Sequence, residues 1–219
     1  MTGIRTAAVA AAVAALIGLG ACATGAEPGP AADVVGAGDD DGFAGTLLAD
    51  PPVPRPALVL PATDGRAYDL TADSDGVTAL FFGYTRCPDI CPTTMADVAA
   101  ARRELPRSAQ DRVTVVFVTE DPANDTPPVL RAWLDRFDED FVGLVGGDAR
   151  TRDVLTDLHL TATEGHVDPP TSAPHGDGGF EHSGVVYIFG PDDERTVVHT
   201  GGTTVAQYAS DLRELLGPA

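Results

Sequence analysis

The amino-acid sequence predicts an α/β domain, a mixed central sheet flanked by helices with a β-hairpin at its start. Three observations carry this. Residues 77–84 and Val113–Thr119 hold continuous apolar runs of buried-strand type, each followed by a stretch with helical apolar spacing. Two further strands, over 185–189 and 196–200, lie either side of the turn Pro191-Asp192-Asp193 and precede a last helix, which makes the sheet mixed. The 18 prolines and 24 glycines are too many for a helix bundle and suit a loop-rich mixed fold.

Taken in order, the chain begins with an address. Arg5 precedes an apolar run over 7–19 that is too short to span a bilayer and ends in small residues, the pattern of a secretory signal. Its end, Leu19-Gly20-Ala21-Cys22, resembles the bacterial lipobox, in which the signal is cut before the cysteine and the thiol is acylated. Residues 1–21 are therefore expected to be a lipoprotein signal peptide and Cys22 the lipidation site. The mature protein is then lipid-anchored on the extracytoplasmic face of the cell membrane. Residues 22–52 are mostly Ala, Gly, Pro and Asp, with the run Asp39-Asp40-Asp41. Such a segment buries too little to offset its ordering entropy. It is expected to be a flexible tether with an r.m.s. reach of about 30 Å.

The folded domain is expected over 53–219. Leu58-Val59-Leu60 and Ala67-Tyr68-Asp69-Leu70 flank Asp64-Gly65 as a hairpin. The helix after the first buried strand opens near Pro88 or Pro92 and carries Met95, Val98, Ala99 and Arg102. After the second, Asp125-Thr126-Pro127-Pro128 is a cap-and-proline helix start, with Asp125 read as the N-cap. Val129, Leu130, Trp133, Leu134 and Phe137 then share one face. Val142–Val145 is a short strand, 149–160 a helix and Val205–Leu216 the last helix; no internal repeat occurs.

Composition excludes several chemistries. The formal net charge is −19, and all 14 basic residues are arginine. Without lysine there is no Schiff base and no phosphate-cradling P-loop. So acidic a surface repels phosphate backbones, so no nucleic-acid partner is expected.

With Cys22 committed to lipid, Cys87 and Cys91 remain for chemistry. A CxxxC pair at a strand-to-helix junction puts Cys87 near oriented N–H groups that stabilise a thiolate, and Arg86 beside it should act in the same sense. On a helical turn the two Cβ atoms lie about 5–6 Å apart, whereas a disulfide wants about 3.5–4.5 Å. A metal bridging two sulfurs spans the wider gap more easily. The spacing leans toward a chelate without forbidding a redox pair. A plain structural disulfide would restrain the unfolded chain little across so short a loop.

The stretch Gly83-Tyr84-Thr85-Arg86-Cys87-Pro88-Asp89-Ile90-Cys91-Pro92 resembles the signature of the Sco/SenC family of copper chaperones. Thr119-Glu120-Asp121-Pro122-Ala123-Asn124-Asp125-Thr126-Pro127 is similar to that family's second block, and Glu181-His182-Ser183 before an apolar strand is similar to its third. The resemblance implies a thioredoxin-like fold and one copper ion per chain, bound by Cys87, Cys91 and His182. It also implies a role in assembling the binuclear copper centre of cytochrome c oxidase, with that enzyme's copper-accepting subunit as partner. Some members act instead as thiol–disulfide reductants, which would make Cys87 and Cys91 a redox disulfide and a thioredoxin-like reductant their electron donor. Two thiolates and one imidazole form a soft, low-coordinate set that suits Cu(I). Thioredoxin-like oxidoreductases usually carry a cis-proline before the strand facing their cysteines, and here His182 stands in that segment instead. That favours a metallochaperone over an enzyme of disulfide exchange.

His166 and His175 lie in a Gly-, Pro- and Asp-rich stretch close to His182 and are candidate auxiliary metal ligands. Asp121 and Asp125 match the family's acidic block and are candidates for partner docking or for tuning the site. His159 and His199 are expected to be structural.

Overall fold

β4 (Val77–Gly83) is buried along its whole length, and its side chains alternate between two apolar layers. Val77, Ala79 and Phe81 enter one layer, and Leu80 and Phe82 the other. β5 (Val113–Thr119) lies parallel beside it, sending Val115 and Phe117 to the first layer and Val116 and Val118 to the second. Covered on both faces, the strands read in the sequence as unbroken apolar runs. The computed structural model describes residues 42–147, 149–160 and 184–217, all within the compact unit Val35–Ala219.

The central sheet has six strands in the order β1 (Thr46–Leu48), β8 (Thr196–His199), β7 (Val186–Phe189), β4, β5 and β6 (Val142–Val145). β4, β5 and β6 are parallel, while β7, β8 and β1 join as an antiparallel half, so the sheet is mixed as expected. Three helices cover the first layer: α1 (Ile90–Arg103), α3 (Pro127–Leu134) and α5 (Val205–Leu216). They contribute Met95 and Val98, Leu130 and Trp133, and Tyr208 and Leu212 respectively. On the other face, Leu58, Leu60 and Leu70 of the hairpin β2 (Val59–Pro61) and β3 (Ala67–Asp69) pack beside Val154 and Leu155 of α4 (Ala149–Asp157). The single turn α2 (Arg107–Gln110) links α1 to β5. Among the described residues no helix is long and apolar enough to cross a membrane.

Local chemistry sets the helix ends. α5 opens with a capping box, Thr204 Oγ1 accepting from the Gln207 N–H at 3.3 Å while Gln207 Oε1 accepts from the Thr204 N–H at 2.9 Å. α3 begins on Pro127 and Pro128, whose missing N–H groups and fixed φ suit the first turn. Its N-cap is Thr126, not Asp125. α4 stops at Asp157, short of the expected residue 160. His159 takes φ 55°, the Leu160 N–H reaches Leu155 O at 2.7 Å, and the His159 N–H reaches Thr156 O at 3.0 Å. This is a Schellman closure with histidine at the position usually held by glycine, so no stop signal was readable in the sequence.

The expected tether over 22–52 differs from the structure in its last part. Thr46–Leu48 pairs antiparallel with β8, and Phe43 is buried in the first layer. Asp211 on α5 holds the approach to β1, accepting from the Ala44 and Gly45 N–H groups at 2.8 Å each. The folded unit therefore starts before Val53. Its Ala-, Gly- and Asp-rich surroundings hid the few apolar residues that anchor it.

Candidate metal centre

Parallel strands present the loops after their carboxyl ends on one edge of the sheet, and binding groups gather there. β4 ends at Gly83 and leads through residues 84–89 into α1; β5 ends at Thr119 and leads through 120–126 into α3. The first loop carries Cys87, and Cys91 follows in the opening turn of α1. Both cysteines are free and buried, 6% and 0% exposed. Asp89, the N-cap of α1, makes no side-chain capping bond. One of the orphan first-turn donors is met by sulfur instead: the Cys91 N–H points at Cys87 Sγ, 3.4 Å away. The Cys87 N–H donates to Tyr84 O at 3.2 Å, which closes the loop. Gly83 makes room for the second sulfur, since a Cβ there would lie 2.9 Å from Cys91 Sγ.

Burial pushes the Cys91 thiol well above its ordinary value; the adjoining Cys87 sulfur adds to this and the Tyr84 backbone N–H opposes it. The Tyr84 phenol is raised to about 12, by burial first and then by the two sulfurs. At neutral pH Cys91 is therefore a protonated thiol, and a ligand that binds its sulfur must displace the proton. Soft cations, whose bonds to thiolate are strong, are the ligands able to do so.

The acidic block reaches this loop from the β5 side. Arg86, whose charge was expected to favour the Cys87 thiolate, pairs its Nη2 with Asp121 Oδ2 at 3.0 Å. Asp121 also accepts from Asn124 Nδ2 at 2.9 Å. Asp125, fully buried, is not the helix cap that its place before Thr126-Pro127 suggested. Its carboxylate accepts from the Thr85 N–H at 2.8 Å, Thr85 Oγ1 at 2.5 Å and Thr119 Oγ1 at 2.6 Å. Thr85 carried no signal of this in the sequence, because its contact joins positions 40 residues apart, and Thr119, six residues before Asp125, read only as the end of a strand.

On the opposite side of the loop, Gly184 sits against Ile90, the residue just before Cys91; a Cβ at Gly184 would lie 2.6 Å from Ile90 Cγ1. A cleft of about 370 Å³ between α1 and the β8–α5 loop opens beside Ile90, with Thr93, Asp97 and Thr203 on its walls. His182, His166, His175 and Cys22 lie outside the described residues. Among the described residues no group of three or more His, Cys, Asp or Glu is gathered as a metal site, so this part of the chain supplies two sulfurs. His199 is structural: it is buried, its Nε2 lies 3.0 Å from Asp211 Oδ2 at an angled approach, and its ring packs 4.7 Å from that of Tyr208. His159 sits exposed at the α4 terminus described above.

A mixed sheet with a buried dithiol where its first long parallel strand passes into a helix defines a thioredoxin-like protein. The sequence profile of the SCO1/SenC family matches residues 57–217. The chain belongs to that family. The solution structure of apo Sco1 from Thermus thermophilus superposes with a TM-score of 0.61 at 31% identity, covering 80% of this chain and 97% of that one. Bradyrhizobium japonicum ScoI with copper bound superposes with a TM-score of 0.58 at 27% identity, covering 75% of this chain and 99% of that one. Protein sco1 of Schizosaccharomyces pombe is 30% identical over 139 residues, which is 63% of this chain and 50% of that protein. The chain spans about half the length of the curated relatives it matches.

Proposed function

We propose that the chain is a membrane-anchored, extracytoplasmic copper-binding protein that delivers copper to the accepting subunit of cytochrome c oxidase during assembly of the binuclear centre. Each chain carries one ion on Cys87, Cys91 and His182. The observation that carries the reading is the pair of buried, free thiols at the carboxyl edge of the parallel strands. A solved relative, Bradyrhizobium ScoI, has copper bound. Gly184, packed on Ile90, supports the third ligand. Binding removes the proton from Cys91, and the low-coordinate set leaves the ion open to an incoming ligand of the acceptor. Acylation at Cys22 and the segment after it hold the domain at the membrane where that acceptor resides.

A second reading, a thiol–disulfide reductase keeping the oxidase subunit's copper-ligand cysteines reduced, is favoured by the closeness of the two cysteines, the Cys91 N–H lying 3.4 Å from Cys87 Sγ. One assay separates the two: oxidase copper content at limiting copper in cells carrying His182→Ala, Cys87→Ser or Cys91→Ser. A chaperone loses function in all three, whereas a reductase needs only the cysteines. Wild-type copper content in His182→Ala cells with failure of both cysteine variants would transfer the assignment to the reductase. The anchor has its own check, since a Cys22→Ala precursor should be unlipidated and released from membranes by a high-salt wash.

A further inference from the structure

Asp125 is a carboxylate with no exposure to solvent, and it is not the N-cap of α3, a position held by Thr126.

 What the carboxylate does instead is tie three segments together. Thr85, two residues before Cys87, gives it both a backbone N–H at 2.8 Å and a hydroxyl at 2.5 Å, and Thr119, the last residue of β5, gives it a second hydroxyl at 2.6 Å. The Thr119 hydroxyl also accepts from the Asp121 N–H at 3.0 Å, and Asp121 in turn pairs with Arg86. The loop that carries Cys87 is therefore held from the β5 side at two successive residues, by a buried arm on Thr85 and a surface arm on Arg86.

We infer that Asp125 is a positioning residue for copper: through Thr85 it fixes the loop that carries Cys87, so that both sulfurs stand ready for one soft ion. The inference rests on the copper reading above. The physical reason is preorganisation. An anchored ligand loop does not have to be ordered when the ion binds, and partners one shell out from metal ligands commonly change affinity by about 10–100-fold when removed. Asparagine at 125 keeps the shape but removes the charge and replaces one accepting oxygen with an NH₂ donor, so at least one of the three donors that converge on the carboxylate loses its acceptor.

The test measures Cu(I) affinity of the reduced, full-length protein by anaerobic competition with a chromogenic Cu(I) chelator, alongside thermal unfolding of each variant. Asp125→Asn and Thr85→Val should each weaken Cu(I) binding by about tenfold or more, and Thr85→Ser, which restores the hydroxyl, should return to within about threefold of wild type. Arg55→Met, at the far end of the sheet, controls for general loss of stability and should leave Cu(I) affinity unchanged. Wild-type affinity in a folded Asp125→Asn protein would overturn the inference, as would an equal loss in Arg55→Met. If Asp125→Asn does not fold, Thr85→Val decides the matter on the same criteria. Failure of the wild-type protein itself to bind Cu(I) would instead remove the function on which the inference rests.

Discussion

The two ends of β4 are both built around buried polar groups, and they use them differently. At the amino end, the guanidinium of Arg55 is surrounded by acceptors from its own chain. It donates to Ser74 O, to Thr78 Oγ1 at 3.0 Å, to Gly190 O at 3.1 Å and to Asp193 Oδ1 at 2.9 Å. At the carboxyl end, Asp125 is equally well satisfied, but the two sulfurs beside its loop are not provided for in the same way. They receive backbone N–H groups, lie against each other and have the Tyr84 phenol as a neighbour, with no ion pair among the described residues to neutralise them. The first end completes itself and holds the hairpin and β7 to the sheet. The second is held rigid by its neighbours while its thiols keep their capacity for an outside ligand, which is how a binding edge differs from a structural one.

The sharpest way to break this contrast is to remove a sulfur. Cys87→Ser or Cys91→Ser should abolish retention of copper through gel filtration of the anaerobically loaded protein, with little change in fold. Next in size is the structural end. Arg55→Met leaves several buried acceptors without a donor and should cost about 3 kcal/mol of stability by urea unfolding, with Cu(I) affinity unaltered.

A smaller effect separates the ends by pH. Burial raises the Cys91 thiol in the folded state, so the folded protein keeps a proton that the unfolded chain releases. The stability from this is complete below the ordinary thiol value of 9.0 and is lost as pH rises toward the folded value. Tyr84 and Tyr208, both raised by burial from 10.0 to about 12, act with the same sign at higher pH. Urea midpoints of the reduced, metal-free protein should fall steadily above pH 9, and Cys91→Ala should flatten the first part of that fall. The smallest effect is expected from Arg86→Ala. The Arg86 side chain is 48% exposed, so its ion pair should contribute less than about 1 kcal/mol, and differential unfolding of the single and double variants with Asp121→Ala measures it.

The strands and helices that shape the sheet were legible because each is long enough for its period to show. Val113–Thr119, Val142–Val145 and Val205–Leu216 match their expected bounds. β1 was missed because three residues carry no period, and their pairing partner on β8 lies far along the chain. The cysteines were readable from local spacing, and the family from three ordered blocks. The use of Asp125 was not: next to Thr126-Pro127-Pro128 the local pattern favours a helix cap, and only the fold brings Thr85 within reach of it. The pairing of Arg86 with Asp121 was equally hidden, since it joins two loops far apart in the sequence.

The central claim is that the free dithiol at the carboxyl edge is the copper site. Cu(I) stoichiometry and affinity, measured on one preparation before and after oxidation of Cys87 and Cys91 to a disulfide, test it most directly. The account predicts one tightly held Cu(I) per reduced chain and weak, readily exchanged binding in the oxidised protein, because a disulfide removes both thiolates. Equal stoichiometry and affinity in the two states would contradict it.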